Sequence, residues 1–276
     1  MTDKSDWTGR VGKSWAHEWE RTDRSFGPLT DHLLEVAHES GYAQALDIGC
    51  GAGELTLRLA EASPSSRVIG VDIGEHLVDV ARVRCAQLGN ARIDLADASA
   101  WRAGQGERPD LMISRHGVMF FDDPVAAMAH LAGEASQGAR LVFSCFREVT
   151  ENEWVTQLSS ALPPSEGPPP DPDAPGPFAF GRRERVERVL ADAGWREIEF
   201  EAFDYPMIGG EGEDAVGDAL SYFLHIGPAA RAVAALEGAQ KERAIERLTE
   251  VIERHHVDGL VSMPSAAWIV TARAPG

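Results

Sequence analysis

Three glycines at alternate positions form the most informative local pattern in this sequence. Gly49, Gly51 and Gly53 follow the apolar run Ala45–Ile48, and residues with helical apolar spacing begin at Leu55. Glycine lets a backbone turn tightly and approach a ligand that a Cβ would exclude. A helix that starts after such a turn offers free N–H groups to a polar ligand. The predicted ligand-binding residues of this turn are Asp47, Gly49, Cys50, Gly51 and Gly53.

Two aspartates come at the ends of the next two predicted strands. Asp72 follows the β-branched run that starts at Arg67, and Asp97 follows the strand predicted over Ala91–Leu95. An acidic side chain at the position of Asp72 can accept hydrogen bonds from both hydroxyls of a ribose. Asp97 is placed to accept one from an adenine amino group, and helix capping is the alternative for both. Their neighbours Ile73 and Ala98 join the predicted site through the motif resemblance given below.

Glu54 distinguishes the glycine turn from a dinucleotide-binding fingerprint. That fingerprint has glycine three residues after its second glycine, where this chain has Glu54. A carboxylate at the start of the helix would oppose a pyrophosphate. The sequence therefore favours a nucleoside ligand without phosphate over NAD.

The predicted fourth strand, Asp110–Ser114, ends in a further group of polar residues, Ser114, Arg115 and His116. An imidazole can take up a proton near neutral pH, so His116 is the candidate general base, with a pocket-lining ring as the alternative.

Trp15 and Trp19 are four residues apart and are predicted to share one helical face.

Alternating strands and helices between Ala43 and Cys145 predict an α/β fold, a doubly wound sheet with helices on both faces. The carboxyl ends of parallel strands meet at one edge of such a sheet, which brings the polar residues above together. We expect an N-terminal helical cap segment over residues 1–40 and an α/β core over 41–204. A mostly helical cap insertion over 205–264 and a last strand over 265–276 complete the expected organisation. The proline-rich segment 162–177 is expected to be a surface linker or a wall beside the pocket.

The composition excludes several function classes. The formal net charge of −18 disfavours nucleic acid as a partner. No apolar run is long enough to span a membrane, and the polar N-terminus lacks the apolar core of a signal peptide. Three cysteines without paired spacing predict neither a disulfide framework nor a zinc cluster. These features predict a cytoplasmic protein with reduced thiols and no metal.

Several motifs together resemble those of class I S-adenosylmethionine-dependent methyltransferases. The segment Asp47–Gly53 resembles their first motif, Val71–Ile73 their ribose-binding motif, and Asp97–Ala98 their adenine-binding motif. The segments Asp110–Gly117 and Gly138–Leu141 are similar to the family's fourth and fifth strands. Residues Ser114–Pro124 and Pro177–Phe180 also resemble a small-molecule branch related to the ubiquinone and menaquinone methyltransferases.

The resemblance implies a Rossmann-like sheet of seven strands, mostly parallel, with the last strand antiparallel. It implies S-adenosylmethionine as cofactor, S-adenosylhomocysteine as product, and in-line transfer of the methyl group to a small-molecule acceptor. Family position also places Ser114 and Arg115 beside the cofactor, with the side chain of Arg115 facing its methionine carboxylate or, as the alternative, the backbone of Arg115 in that role. An NAD-dependent oxidoreductase and a non-catalytic adenosylmethionine-binding protein are the alternatives. The sequence leaves open the acceptor, the atom methylated and the oligomeric state, for which a homodimer is one alternative.

Overall fold

The computed structural model describes residues 4–164 and 171–276. Three helices precede the sheet: α1 (Lys4–Thr8), α2 (Arg10–His17) and α3 (Trp19–His38). Strands and helices then alternate as β1 (Gln44–Ile48), α4 (Glu54–Ala62), β2 (Arg67–Asp72), α5 (Glu75–Cys85), β3 (Ala91–Leu95), β4 (Leu111–Arg115), α6 (Pro124–Glu134) and β5 (Arg140–Phe146). The second half comprises α7 (Glu153–Ser160), α8 (Arg183–Asp192), β6 (Arg196–Glu211), α9 (Ala215–His225), α10 (Gly227–Ala234), α11 (Gly238–Glu253), β7 (His256–Val257) and β8 (Leu260–Arg273).

The strands form one mostly parallel sheet in the order β3-β2-β1-β4-β5-β8-β6, and β7 pairs with β8. Strands β1 to β5 pair in parallel, whereas β8 is antiparallel to both β5 and β6. The predicted doubly wound α/β fold with an antiparallel last strand is therefore confirmed. The sheet has eight strands rather than seven because the two-residue strand β7 folds back on the start of β8.

Residues 205–264 differ from the helical prediction at both ends. Strand β6 continues to Glu211 and β8 begins at Leu260, so the two strands pair as a long antiparallel ribbon beyond the rest of the sheet. The helices α9, α10 and α11 occupy only the middle of this segment, and α9 packs on β6. The division of the chain into a core and a cap remains a prediction. The longer strands β6 and β8 cross the expected borders of the cap at residues 205 and 264.

The helices form layers that bury the central strands. Helices α3, α4 and α5 are successive neighbours, and α6 packs beside α8. Strand β5 is buried along its whole length, and β1 along all but its first residue, as expected for parallel strands covered on both faces. No helix among the described residues is long and apolar enough to cross a membrane.

Strand order reverses between β1 and β4, which places a crevice at their carboxyl ends. The glycine turn follows β1, and a short 3-10 helix over Gly117–Phe120 follows β4. Gly49 and Gly117 lie directly against each other here, because a Cβ added to Gly49 would be 3.0 Å from the Cα of Gly117. This close approach positions the two loops that carry most of the predicted site.

Candidate active site

A cavity of about 210 Å³ opens at the carboxyl ends of β1, β2 and β4. Most of the predicted site residues line it: Asp47, Gly49, Cys50, Gly51, Asp72, Ile73, Asp97, Ala98, Arg115 and His116. The lining does not include Gly53 and Ser114. The cavity therefore brings the strand-end residues together as the fold class requires.

Asp72 organises the turn beside the cavity. Its Oδ2 accepts a hydrogen bond from the backbone N–H of Gly51 at 2.9 Å, and its Oδ1 accepts one from Gly74 at 2.8 Å. Burial raises the pKa of Asp72, although these backbone hydrogen bonds act in the opposite direction. Each carboxylate oxygen has a second lone pair. Asp72 can therefore accept ligand hydroxyls while it holds the glycine turn.

The two predicted residues that do not line the cavity have structural tasks. Gly53 has φ +85°, and a Cβ there would be 2.8 Å from the Cβ of Ala81, so this glycine permits the contact between the turn and α5. Ser114 is fully buried, and its Oγ donates to the carbonyl of Ile48 at 2.6 Å and accepts from Gly117 N–H at 3.1 Å. The side chain of Ser114 thus ties β4 to β1, and its place beside the cofactor remains a prediction.

Asp97 lies at the cavity wall between Ala96 and Ala98. Its Oδ1 accepts hydrogen bonds from the N–H of Ser99 at 2.9 Å and from the hydroxyl of Ser99 at 2.6 Å. Asp97 therefore caps its own turn and lines the cavity at the same time. The two interpretations weighed from the sequence are compatible in one side chain.

Asp47 is the most deeply buried carboxyl in the cavity wall, with 1% of its surface exposed. Thr56 donates its hydroxyl to Asp47 Oδ2 at 2.7 Å. Burial is the main cause that raises the pKa of Asp47 to about 7, and nearby Arg115 acts against it. Close to neutral pH this carboxyl is therefore poised between its two protonation states.

Arg115 lines the cavity, but carboxylates of the chain already surround its guanidinium. It forms an ion pair with Glu54, lies 3.5 Å from Asp23, and donates to Thr30 Oγ1 at 2.7 Å. Glu54 is not among the cavity-lining residues. Its carboxylate therefore does not oppose a ligand at the glycine turn, as the sequence argument assumed, and it neutralises Arg115 instead. This pairing also competes with the expected contact between Arg115 and a cofactor carboxylate.

His116 occupies a strained and apolar position. Its φ is +64°, a left-handed conformation that non-glycine residues rarely adopt. The ring stacks on Phe146 with centroids 4.1 Å apart and meets Phe26 edge-on at 5.3 Å. Neither ring nitrogen has a hydrogen-bond partner among the described residues. Burial and then Arg115 lower the pKa of His116 to about 3, which argues against the predicted general-base role, since efficient bases titrate near the working pH.

The rest of the cavity wall is aromatic and comes from elements far apart in the chain. Phe146 ends β5 and lies 5.4 Å from Trp154, between ring centroids. Tyr222 and Phe223 of α9 face the same cavity, as do Ile226 and Pro228. Pro177, at the end of the proline-rich segment, also lines it, while residues 165–170 of that segment lie outside the described residues.

The N-terminal helices contribute three tryptophans to the cavity wall, but Trp15 and Trp19 do not share one helical face as predicted. Trp7, Trp15 and Trp19 all line it, but Trp15 lies in α2 and Trp19 in α3, with a break at Glu18 between them. Glu18 is 3% exposed, pairs with Arg21 three residues on at 3.0 Å, and lies 3.4 Å from His225 of α9, so the break coincides with a contact to a distant helix. Trp19 instead packs under the guanidinium of Arg84, 4.1 Å from its ring centre.

Ion pairs join the N-terminal helices to the helices of the 205–264 segment. Asp218 of α9 pairs with Arg21 at 2.9 Å and with Arg24 at 2.8 Å. Arg24 also donates to the carbonyl of Gly209 at 3.0 Å. Helix α3 is thus connected to both the ribbon and α9, and together they enclose the aromatic side of the cavity. Neither Asp23 nor this connection had a recognisable signal in the sequence.

Titratable residues elsewhere give no sign of metal chemistry. Among the residues that the structure describes, no group of three or more His, Cys, Asp or Glu side chains is arranged to hold a metal ion. All three cysteines are buried and unpaired. Burial raises the pKa of Cys50 in the glycine turn well above its usual value, so its thiol stays protonated.

Comparisons with known proteins agree with this architecture. Residues 45–135 match a family described as a methyltransferase domain. A malonyl-(acyl-carrier protein) O-methyltransferase from Anoxybacillus flavithermus is 34% identical over 117 residues, which cover 42% of this chain and 44% of that protein. An aklanonic acid methyltransferase from a Streptomyces species is 30% identical over 121 residues, which cover 43% of this chain and 55% of that protein. The chain thus spans about half the length of the curated relatives it matches.

A solved structure shows that the likeness of fold extends over the whole chain. Phosphoethanolamine N-methyltransferase 2 from Haemonchus contortus, in complex with S-adenosylhomocysteine, superposes with a TM-score of 0.58 at 15% identity. The superposition covers 100% of this chain and 60% of that one. Residues 45–135 are thus similar to a methyltransferase domain, and the chain as a whole shares the fold of that solved methyltransferase.

Proposed function

We propose that this chain transfers a methyl group from S-adenosylmethionine to a small-molecule acceptor, an activity of the class EC 2.1.1. The observation that carries the proposal is the continuity of the cavity. One cavity joins the glycine turn and the aspartates of the strand ends to an aromatic chamber beneath α9 and α10. A cofactor and an acceptor can therefore meet in it without crossing solvent.

The cavity suits a nucleoside ligand of net positive charge. A Cβ on Gly51 would meet no described atom within 4 Å, so the turn presents open backbone to the cavity. The described lining residues include four aspartates (Asp23, Asp47, Asp72 and Asp97) and one arginine, so the lining is acidic even when Asp47 holds a proton. S-adenosylmethionine carries two positive groups and one negative group, and this acidic lining is complementary to it.

The chain's own contribution to the reaction is positioning. S-adenosylmethionine supplies a methyl group that its positive sulfur makes reactive. Asp72 and Asp97 would hold the nucleoside, and the aromatic chamber would orient the acceptor and exclude water. Correct alignment of two bound reactants supplies several kcal/mol toward such a displacement. The unpaired, buried thiols support a reducing compartment as the setting of this proposal.

Calorimetric titration with S-adenosylhomocysteine tests the cofactor assignment, with NAD in a parallel titration. We expect binding in the micromolar range, about 8 kcal/mol, and none for NAD. The Asp72→Ala variant should weaken binding by about 1.5–3 kcal/mol, the range for hydrogen bonds to a charged group. Glu75→Gln, an exposed acid three residues away, is the matched control and should leave affinity unchanged.

Two results would contradict the proposal. Binding of NAD in place of S-adenosylhomocysteine would assign the site to an oxidoreductase. Unchanged affinity in Asp72→Ala would remove the nucleoside from the position argued here. Formation of S-adenosylhomocysteine from S-adenosylmethionine with an acceptor then separates an enzyme from a protein that only binds the cofactor.

A further inference from the structure

Rings line the chamber beneath α9, and four of them (Phe26, His116, Phe146 and Trp154) form one contact cluster with Phe178, which is not itself a lining residue. Phe146 is central: His116 stacks on it at 4.1 Å, and Trp154, Phe178 and Phe26 lie 5.4, 5.5 and 6.2 Å from it, between ring centroids. We call these five residues the aromatic cluster. The indole N–H of Trp154 donates to Asn152 at 3.2 Å, which fixes the orientation of that ring. A rigid aromatic wall favours a flat aromatic ligand.

The chamber offers no available cation to an acidic acceptor. Arg115 is the only lysine or arginine among the described lining residues, and Glu54 and Asp23 already pair with it. A buried carboxylate without a partner loses its hydration and gains nothing in return. The chamber therefore disfavours an anionic acceptor.

His116 is the one polar side chain that the aromatic cluster places in the cavity. Its two nitrogens are buried and have no partner among the described residues. An unsatisfied buried polar group is costly, and so is the left-handed backbone at φ +64° that holds this ring in place. Strain and lost hydrogen bonding at the same residue point to a partner that arrives with the ligand.

We propose that the acceptor is an uncharged aromatic molecule with a hydroxyl or amine group, and that His116 hydrogen-bonds to that group. A neutral imidazole has one donor and one acceptor nitrogen, so it can pair with either group without a change in charge. In this role His116 positions the acceptor. The inference rests on the proposed function, because it names the occupant of the chamber beside the cofactor.

The experiment is a titration of the whole chain, saturated with S-adenosylhomocysteine, with two probes of the same size. 2-Naphthol carries a neutral hydroxyl, and 2-naphthoate carries a charged carboxylate. We expect 2-naphthol to bind at least about tenfold more tightly. Equal or tighter binding of 2-naphthoate, or absence of 2-naphthol binding to the saturated protein, would overturn the inference.

The variant His116→Phe keeps a ring against Phe146 and removes both nitrogens. We expect it to weaken 2-naphthol binding by about three- to tenfold, the effect of one hydrogen bond, with the affinity for S-adenosylhomocysteine retained. His76→Phe, at an exposed position on α5, is the control. Unaltered 2-naphthol binding by His116→Phe would overturn the role of His116. If the variant does not fold, His116→Gly, which suits the left-handed backbone at this position, also removes both nitrogens and makes the same test.

The two proposals fail in different ways. Lack of S-adenosylhomocysteine binding by the wild-type chain would refute the proposed function itself. Normal S-adenosylhomocysteine binding together with preference for 2-naphthoate would leave the proposed function intact and refute only the acceptor class.

Discussion

The protonation of Asp47 should control the stability of this protein in an unusual direction. The carboxyl is 1% exposed, and its pKa is raised to about 7, mainly by burial, from 3.8 in a solvated chain. Between these two pH values the folded state retains a proton that the unfolded state has released. The free energy of unfolding attributable to Asp47 therefore falls as pH rises through this window, and the loss is complete above about pH 7.

The size of the effect follows from the two pKa values. Each pH unit inside the window is worth about 1.4 kcal/mol. From about pH 5.5 to about pH 7 the loss is therefore roughly 2 kcal/mol. The Asp47→Asn variant has no proton to lose, and its side-chain oxygen can still accept the hydroxyl of Thr56. Relative to wild type, the variant should gain about 2 kcal/mol between pH 5.5 and pH 8.

Urea denaturation of both proteins at about pH 5.5 and pH 8 measures this difference. Other titrating groups cancel, because they are common to both chains. Asp79→Asn, which removes an exposed carboxyl on α5, serves as the control and should show no such pH-dependent gain. Parallel pH profiles for wild type and Asp47→Asn would refute the conclusion that Asp47 is protonated in the folded protein.

Two further predictions concern the frame around the cavity. Gly53→Ala places a Cβ 2.8 Å from that of Ala81 on a backbone with φ +85°. It should lower the free energy of unfolding by about 1–3 kcal/mol, and wild-type stability in urea would contradict the structural role. Asp218→Asn removes the ion pairs with Arg21 and Arg24, at a cost of about 1–2 kcal/mol for a partly buried network. Hydrogen exchange should become faster in α9, and unchanged protection would show that these pairs do not hold the helix.

The first five strands could be predicted from sequence to within about a residue. Strand β4 spans Leu111–Arg115 where Asp110–Ser114 was expected, and β5 ends at Phe146 where the predicted alternation ended at Cys145. Parallel strands buried on both faces require continuous apolar runs. Such runs, ended by glycine or aspartate, are visible in a single sequence.

The continuation of β6 beyond Asp204 and the start of β8 before Ser265 were missed for a physical reason. Pro206 and Pro264 are typical strand breakers, yet they stand opposite each other in the ribbon. Gly210 also suggests a turn, but its role is packing, because a Cβ there would be 2.6 Å from the backbone nitrogen of Ala219 in α9. Pairing between segments about fifty residues apart gives no local pattern that could override these signals.

The sequence predicted which residues lie at the strand ends, and therefore near the cavity. It did not predict the direction in which each side chain points. Asp72 and Asp97 line the cavity as expected, whereas Ser114 occupies a strand end but faces Ile48. The aromatic cluster could not be predicted at all. Phe26 and Trp154 lie in helices more than a hundred residues apart, and no spacing rule connects them.

Helix α3 couples the two halves of the cavity. Asp23 lies on the side where we propose that the cofactor binds, and it pairs with Arg84 at 2.6 Å. Phe26 of the same helix packs against His116 on the side proposed for the acceptor. Arg24, between them in sequence, attaches this helix to α9. Under this proposal, a movement of α9 that admits an acceptor acts on the same helix that borders the cofactor. Occupation of either half should stabilise the other, because both depend on the same placement of α3.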